Sequence, residues 1–300
     1  MTRLAAVGEG LIELGLEPAP DAAVTLGFGG DAANAAVMAA RLGVPARFGG
    51  RLGNDALGRR LLGFWRDADI DVEHVLLDAG APTGIYVNER GAEGLHRFDY
   101  HRAGSAGSRL GPGDIGDAFL DDVGMLHLTG ITRAVSGTSR DAALDLAARA
   151  RAREIRVSVA VNHRPALGGS LETLRTTAQA ADVVFVSEEE AGTVFDRSDA
   201  GGLARELGAA ELILTRGAQG ATLVTGGEHM DVPALPVETV DAAGAGDALA
   251  GAYLAARLQG EAPLRALRLG IAAAGLSCRA RGCALSYPDR AEVTAAAGEA

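Results

Sequence analysis

Short runs of unbroken apolar residues, each separated from the next by a helical stretch, recur along most of this chain, and the alternation limits the folds open to it. Strands are expected at Leu4 to Val7, Val72 to Leu77, Met125 to Thr129, Ile155 to Val161, Val183 to Val186 and Leu212 to Thr215. Helices are expected at Ala32 to Leu42, Ala56 to Asp67, Ser139 to Arg153, Leu171 to Ala180 and Gly201 to Leu207. Gly43 and Pro45 close the first helix at the positions where a chain commonly leaves one. Strands without a polar face need cover on both sides, so the pattern predicts an α/β fold of three layers, with a mostly parallel sheet between helices. After Ala221 to Val224 and His229 to Val232 the chain turns helical, at Asp247 to Leu258, Leu264 to Arg279 and a tail from Ala291. No repeat or linker divides it, and residues 1–300 are expected to form one domain.

Four segments break the rhythm. Ile12, Leu14 and Leu16 alternate with polar or small residues, Val24 to Phe28 reads as a further strand, and Thr83 to Glu89 and Leu95 to Arg102 flank the turn-prone Arg90-Gly91-Ala92-Glu93-Gly94. These segments, from about 11–30 and 82–103, predict a small separate sheet that lies as a lid over the ligand-binding end of the main one.

Chemistry concentrates in Asp241-Ala-Ala-Gly-Ala-Gly-Asp247. The small residues Gly244, Ala245 and Gly246 leave backbone N–H groups bare at a helix start, a natural seat for phosphate. Asp247, an acid beside that seat, is suited to take a proton from a hydroxyl that attacks phosphorus. The plain alternative is a glycine turn with an acidic first-turn residue. Gly29-Gly30-Asp31-Ala32-Ala33-Asn34 opens the first helix, where Asp31 and Asn34 offer polar atoms to a polyhydroxylated ligand.

Together with Gly50-x-x-Gly53-x-Asp55-x-x-Gly58, these motifs resemble, in matching order over essentially the whole chain, the ribokinase-like carbohydrate kinases of the PfkB family. The resemblance implies a ribokinase-like α/β/α fold and ATP-dependent phosphorylation of a sugar hydroxyl. Asp247 then matches the general base, and Gly244, Ala245 and Gly246 the anion hole. Thr215, Gly217 and Gly220 match the nucleotide turn, and Ser187 and Glu190 the polar positions near the phosphates, Glu190 meeting Mg2+ through water. A monovalent cation such as K+ often accompanies the family. Tyr100-His101-Arg102 and Asn162-His163-Arg164 resemble the branch that phosphorylates 2-keto-3-deoxygluconate, and Gly30, Tyr86, Tyr100, Arg102, Ile131 and Arg164 become the sugar-facing positions. A sugar acid carries a carboxylate, which guanidinium groups bind through charge-assisted hydrogen bonds. Three positions depart from the family pattern: Ala242 replaces threonine, Ser187 replaces asparagine, and Ala160 replaces the branch's aspartate.

Composition narrows the alternatives. A formal charge of −11 argues against nucleic acid as a partner. No long uncharged apolar run or basic leader is present, so no membrane partner and a cytoplasmic location are expected. Cys278 and Cys283 lack a second Cys/His pair and read as reduced packing residues. An exposed lid edge suggests a homodimer. A kinase for a neutral sugar, of fructokinase or ribokinase type, remains the nearest alternative, followed by a non-catalytic sugar or nucleotide sensor on the same fold. Gly8-Glu9-Gly10 after the first strand suggests a dinucleotide site, but Glu13 stands where its third glycine belongs.

Overall fold

The computed structural model describes residues 2–17, 19, 21–90, 96–168 and 170–298. It opens with β1 (Arg3–Val7), β2 (Leu11–Leu16) and β3 (Thr25–Gly29), then α1 (Asp31–Arg41), β4 (Ala46–Gly53) and α2 (Ala56–Asp67). Short strands β5 (Ile70–Asp71) and β6 (Val75–Asp78) precede β7 (Gly84–Arg90) and β8 (His96–His101). The middle runs through β9 (Val123–Thr129), α3 (Gly130–Ala134), α4 (Gly137–Ala152), β10 (Arg156–Ala160), α5 (Leu171–Ala178), β11 (Val183–Ser187), α6 (Glu188–Phe195) and α7 (Ala200–Leu207). Strands β12 (Glu211–Thr215), β13 (Ala221–Thr225) and β14 (Glu228–Val232) lead to α8 (Ala245–Leu258), α9 (Pro263–Ser277) and α10 (Arg290–Gly298).

The main sheet has the order β14-β13-β12-β11-β10-β9-β1-β4-β5, with β6 also paired to β4. It is parallel from β12 to β5 and antiparallel where β13 and β14 are added. Side chains of β1 alternate between two cores: Leu4 and Ala6 pack with residues of α1, α2, α8, α9 and α10, while Ala5 and Val7 pack with residues of α4, α5, α6 and α7. That alternation is the three-layer α/β/α arrangement expressed in one strand. A second sheet, β3-β2-β7-β8, stands apart from the first. Because β1 lies between β9 and β4, successive connections leave it in opposite directions, which opens a crevice at the carboxyl ends of the strands.

Some elements differ from expectation for identifiable reasons. Strand β4 was hidden by its composition, because its Arg47 is buried yet satisfied: the guanidinium donates to Asp71 at 2.7 Å and to the Ala118 and Phe119 carbonyls at 3.0 and 2.9 Å. The strand expected at Val72 to Leu77 begins only at Val75, as β6, after a turn in which the Val75 N–H donates to the Val72 carbonyl, and β5 ends before it at Asp71. The short α3 and α6 carry too few turns for a periodic signal. Helix α8 begins at Ala245 rather than at Asp247. Residues 91–94 of the expected turn, and Leu95 of the strand expected after it, lie outside the described residues. Among the described residues no helix is long and apolar enough to cross a membrane.

Candidate active site

The crevice holds a cavity of about 410 Å³ whose walls come from distant parts of the chain. Leu11, Tyr86, Phe98 and Tyr100 line it from the second sheet, and Gly30, Asp31 and Asn34 from the start of α1. Gly30 is required by close approach: at φ 124, an added Cβ would lie 2.2 Å from the Glu9 carbonyl oxygen. Ile131, from α3 after β9, and Asn162 and Arg164, after β10, enter at the carboxyl ends of adjacent strands.

Gly244 caps α8 in a left-handed conformation, φ 80, and its carbonyl accepts the Tyr287 hydroxyl at 2.8 Å. Asp241, buried behind the loop, accepts the N–H groups of Ala243 at 2.9 Å and Gly282 at 3.2 Å. The Ala245 N–H donates to the Ala242 carbonyl at 3.2 Å, which withdraws Ala245 from the set of free donors. What a helix start leaves open here are the next two N–H groups, of Gly246 and Asp247. Both residues line the cavity, and Ala245 does not.

Asp247 is the third residue of α8, and its Oδ2 accepts the Asn34 side-chain amide at 2.9 Å. Burial and then the negative charge of Asp31 push its carboxyl up to about 7, against the pull of Asn34, Arg164 and Asn162. Asp31 accepts Ala32 N–H at 2.8 Å and the Asn162 amide at 3.1 Å. Two asparagines therefore hold two neighbouring carboxylates in one cavity. Asn162 does so from a left-handed φ of 40, unusual for a residue with a side chain.

The two arginines are not equivalent. Arg102 is buried, 5.4 Å from the Tyr100 ring centre, with Nη2 2.6 Å from Glu9 Oε2. This is close charge contact without hydrogen-bond alignment, and Nε and Nη2 have no acceptor. Burial raises the Glu9 carboxyl, while Arg102 and a 2.9 Å hydrogen bond from Ser105 oppose the rise. Arg164 is exposed, donates to its neighbour's carbonyl, and forms no ion pair with a described carboxylate.

The expected catalytic and sugar-facing residues thus meet around one cavity, Ala245 excepted. Ser187, Glu190, Thr215, Gly217 and Gly220 do not line it. They gather at the carboxyl ends of β11 and β12, where Ser187 and Thr215 are register partners. Glu190 is already occupied by backbone: Oε2 accepts Ser187 N–H at 2.9 Å and Oε1 accepts His163 N–H at 2.7 Å. Among the described residues no group of three acidic, His or Cys side chains is placed to hold a metal ion. The described residues therefore supply no cage of three such ligands, and magnesium characteristically binds through few carboxylates and its partner's phosphates.

Sequence reading missed Glu9 and Cys283 as cavity residues. Glu9 had a signal, a charge directly after a buried strand, which was absorbed by the dinucleotide reading. Cys283 had none, because α8 and the cysteine meet only through the fold.

The profile described as "pfkB family carbohydrate kinase" matches residues 1–290. A 2-dehydro-3-deoxygluconokinase from Thermoproteus tenax is 35% identical over 97% of this chain and 94% of its own. The crystal structure of a PfkB protein from Polaromonas sp. JS666 superposes with a TM-score of 0.88 at 30% identity, covering 98% of this chain and 100% of that one. A fructokinase with bound ATP from Xylella fastidiosa gives a TM-score of 0.90 at 26% identity, with 99% and 98% covered.

Proposed function

Because this chain belongs to the pfkB family of carbohydrate kinases, we propose that it transfers the γ-phosphoryl group of ATP to a hydroxyl of a sugar acid, 2-keto-3-deoxygluconate first among the candidates. The observation that carries this reading is the cavity itself, which joins an acid of raised pKa, the open start of α8 and two guanidinium groups. Arg164 and Arg102 line the same cavity as Tyr100, and Arg164, with no described carboxylate in ion-pair range, is the one placed to receive a carboxylate, while Arg102 is held against Glu9. A neutral sugar needs neither.

The sugar hydroxyl oxygen attacks the γ-phosphorus as the bond to the β–γ bridging oxygen of ATP breaks, and ADP leaves with that bonding pair. Asp247, ionised, accepts the hydroxyl proton. The N–H groups of Gly246 and Asp247 meet negative charge on the transferring group at the positive end of α8. Magnesium, when bound with the nucleotide, supplies charge neutralisation of the phosphates. The small sheet acts as a lid that keeps water from competing for the phosphoryl group. The edge strand β8 of that sheet is the candidate surface for pairing with a second copy, which light scattering reads as a doubled mass.

An ADP-release screen over 2-keto-3-deoxygluconate, fructose and ribose tests the substrate, and Asp247→Asn tests the base. Turnover should fall by about two or more orders of magnitude while sugar binding changes less. Equal use of neutral sugars would discard the sugar-acid assignment, and near-normal turnover in the variant would remove Asp247 from the chemistry.

A further inference from the structure

Strand β10 stops pairing with β11 at Val161, whose N–H donates to the Phe185 carbonyl at 2.9 Å. Beyond it the chain turns through Asn162 in its left-handed conformation, and the next N–H, of His163, has lost its ladder partner. Glu190 takes that place. Its Oε1 accepts His163 N–H at 2.7 Å, while Oε2 accepts Ser187 N–H at 2.9 Å in the capping box that starts α6. One carboxylate thereby clips the loop after β10 to the junction of β11 and α6. The clipped loop carries Asn162, which bonds Asp31, and Arg164, which lines the cavity.

We infer that Glu190 is a positioning residue for the sugar: a latch that holds the 162–164 loop in its strained turn so that Asn162 and Arg164 face the substrate. A left-handed turn at a non-glycine residue persists only where surrounding contacts over-determine it, and a charge-assisted hydrogen bond to the next amide is such a contact. Both oxygens already receive a backbone N–H, so the carboxylate has its positioning contacts within the protein itself. The latch links the sugar loop to the strand end where the nucleotide-site candidate Ser187 sits, so the two halves of the site share one carboxylate.

The inference rests on the sugar-kinase reading only for its ligand, and the test separates the two. Glu190→Gln replaces one acceptor oxygen with a donor that faces an N–H. Thr193→Ala serves as control, since it removes another side-chain bond of the same helix, from Thr193 Oγ1 to the Glu189 carbonyl at 2.9 Å, and leaves the Glu190 carboxylate and its capping box in place. Amide hydrogen exchange over residues 161–168 is measured without ligand, and binding of 2-keto-3-deoxygluconate is measured by calorimetry without nucleotide or magnesium. Glu190→Gln should speed exchange in that segment and weaken sugar binding by about tenfold each, the equivalent of about 1.4 kcal/mol, with Thr193→Ala close to wild type. Unchanged exchange and unchanged sugar affinity, with only the apparent KM for MgATP raised, would overturn the latch and return Glu190 to the metal-bound nucleotide. Wild-type protein that binds no 2-keto-3-deoxygluconate would refute the sugar-acid assignment, while the exchange comparison still decides the latch.

Discussion

Replacing Asp31 by asparagine should move the acid limb of the pH–rate profile, because Asp31 is the like charge that raises the carboxyl of the proposed base. The Asp247 carboxyl is raised from 3.8 to about 7 by burial first and Asp31 second. A base of that pKa must lose its proton to work, so kcat/KM should climb through about pH 7 and level off above it. Asp31→Asn keeps the shape and removes the charge; its single oxygen serves one of the Ala32 and Asn162 donors, which bond separate oxygens of Asp31, so one of those two bonds is also lost. Burial remains, so the midpoint should fall by about one unit rather than return to the value of an exposed carboxyl. At pH 6 the ionised fraction of Asp247 would then rise from roughly a tenth to roughly a half, about a fivefold gain relative to each enzyme's own plateau. Asp31 also lines the cavity, so the plateau itself is free to drop, and the midpoint is the readout. Direct calorimetric assay of phosphoryl transfer from pH 5 to 9 measures it without coupling enzymes. An acid limb that stays in place, or moves to higher pH, would refute the electrostatic coupling between the two carboxylates.

Two further perturbations follow from burial and pairing. Arg102→Ala should destabilise the protein by about 3–5 kcal/mol in denaturant unfolding, because it leaves the buried Glu9 carboxylate unpaired, whereas the exposed Arg164→Ala should cost under about 0.5 kcal/mol and act on the sugar KM. Equal stability losses would mean that Glu9 and Arg102 are not a pair. His127, buried in β9 against the Ser158 hydroxyl at 2.7 Å, is held down to about 4 from 6.5 by desolvation. The fold favours its neutral form, so its contribution is complete above pH 6.5 and is lost as pH falls toward 4, about 3 kcal/mol in all. His127→Gln should shrink the stability difference between pH 7 and pH 4.5 measured by urea unfolding, and an undiminished difference would assign the acid sensitivity elsewhere.

What was legible in the chain was local. The apolar strands and the alternation across β1 follow from side-chain periodicity, and the Gly244 to Asp247 cradle follows from small residues beside an acid at a helix start. What was not legible depends on partners far along the chain. Arg47 reads as a solvated charge until Asp71 and two carbonyls near residue 118 surround it, and so β4 was missed. Glu190 reads as a phosphate-side acid until the His163 amide, 27 residues earlier, reaches its oxygen. Arg102 reads as a ligand-binding cation and does line the cavity, and its tie to Glu9 is not legible because the two lie on opposite sides of the second sheet's sequence.

These pairings also bear on how an acidic chain would hold the two anions of the proposed reaction. All 28 basic residues are arginine, so no lysine ammonium is available to the phosphates. Many of those arginines are tied to acids, as Arg51 is to Asp78 and Asp114 at 2.9 Å each, and such pairs contribute little field at a distance. At the cavity, Arg102 is half-neutralised by Glu9, while Arg164 has no described carboxylate in ion-pair range and pulls the Asp247 carboxyl downward. Positive potential is thus left in two places, the start of α8 and the Arg164 guanidinium. In the proposed reaction one suits a phosphoryl group in transit and the other a carboxylate at rest, and Asp247 would take the proton of the hydroxyl that joins them.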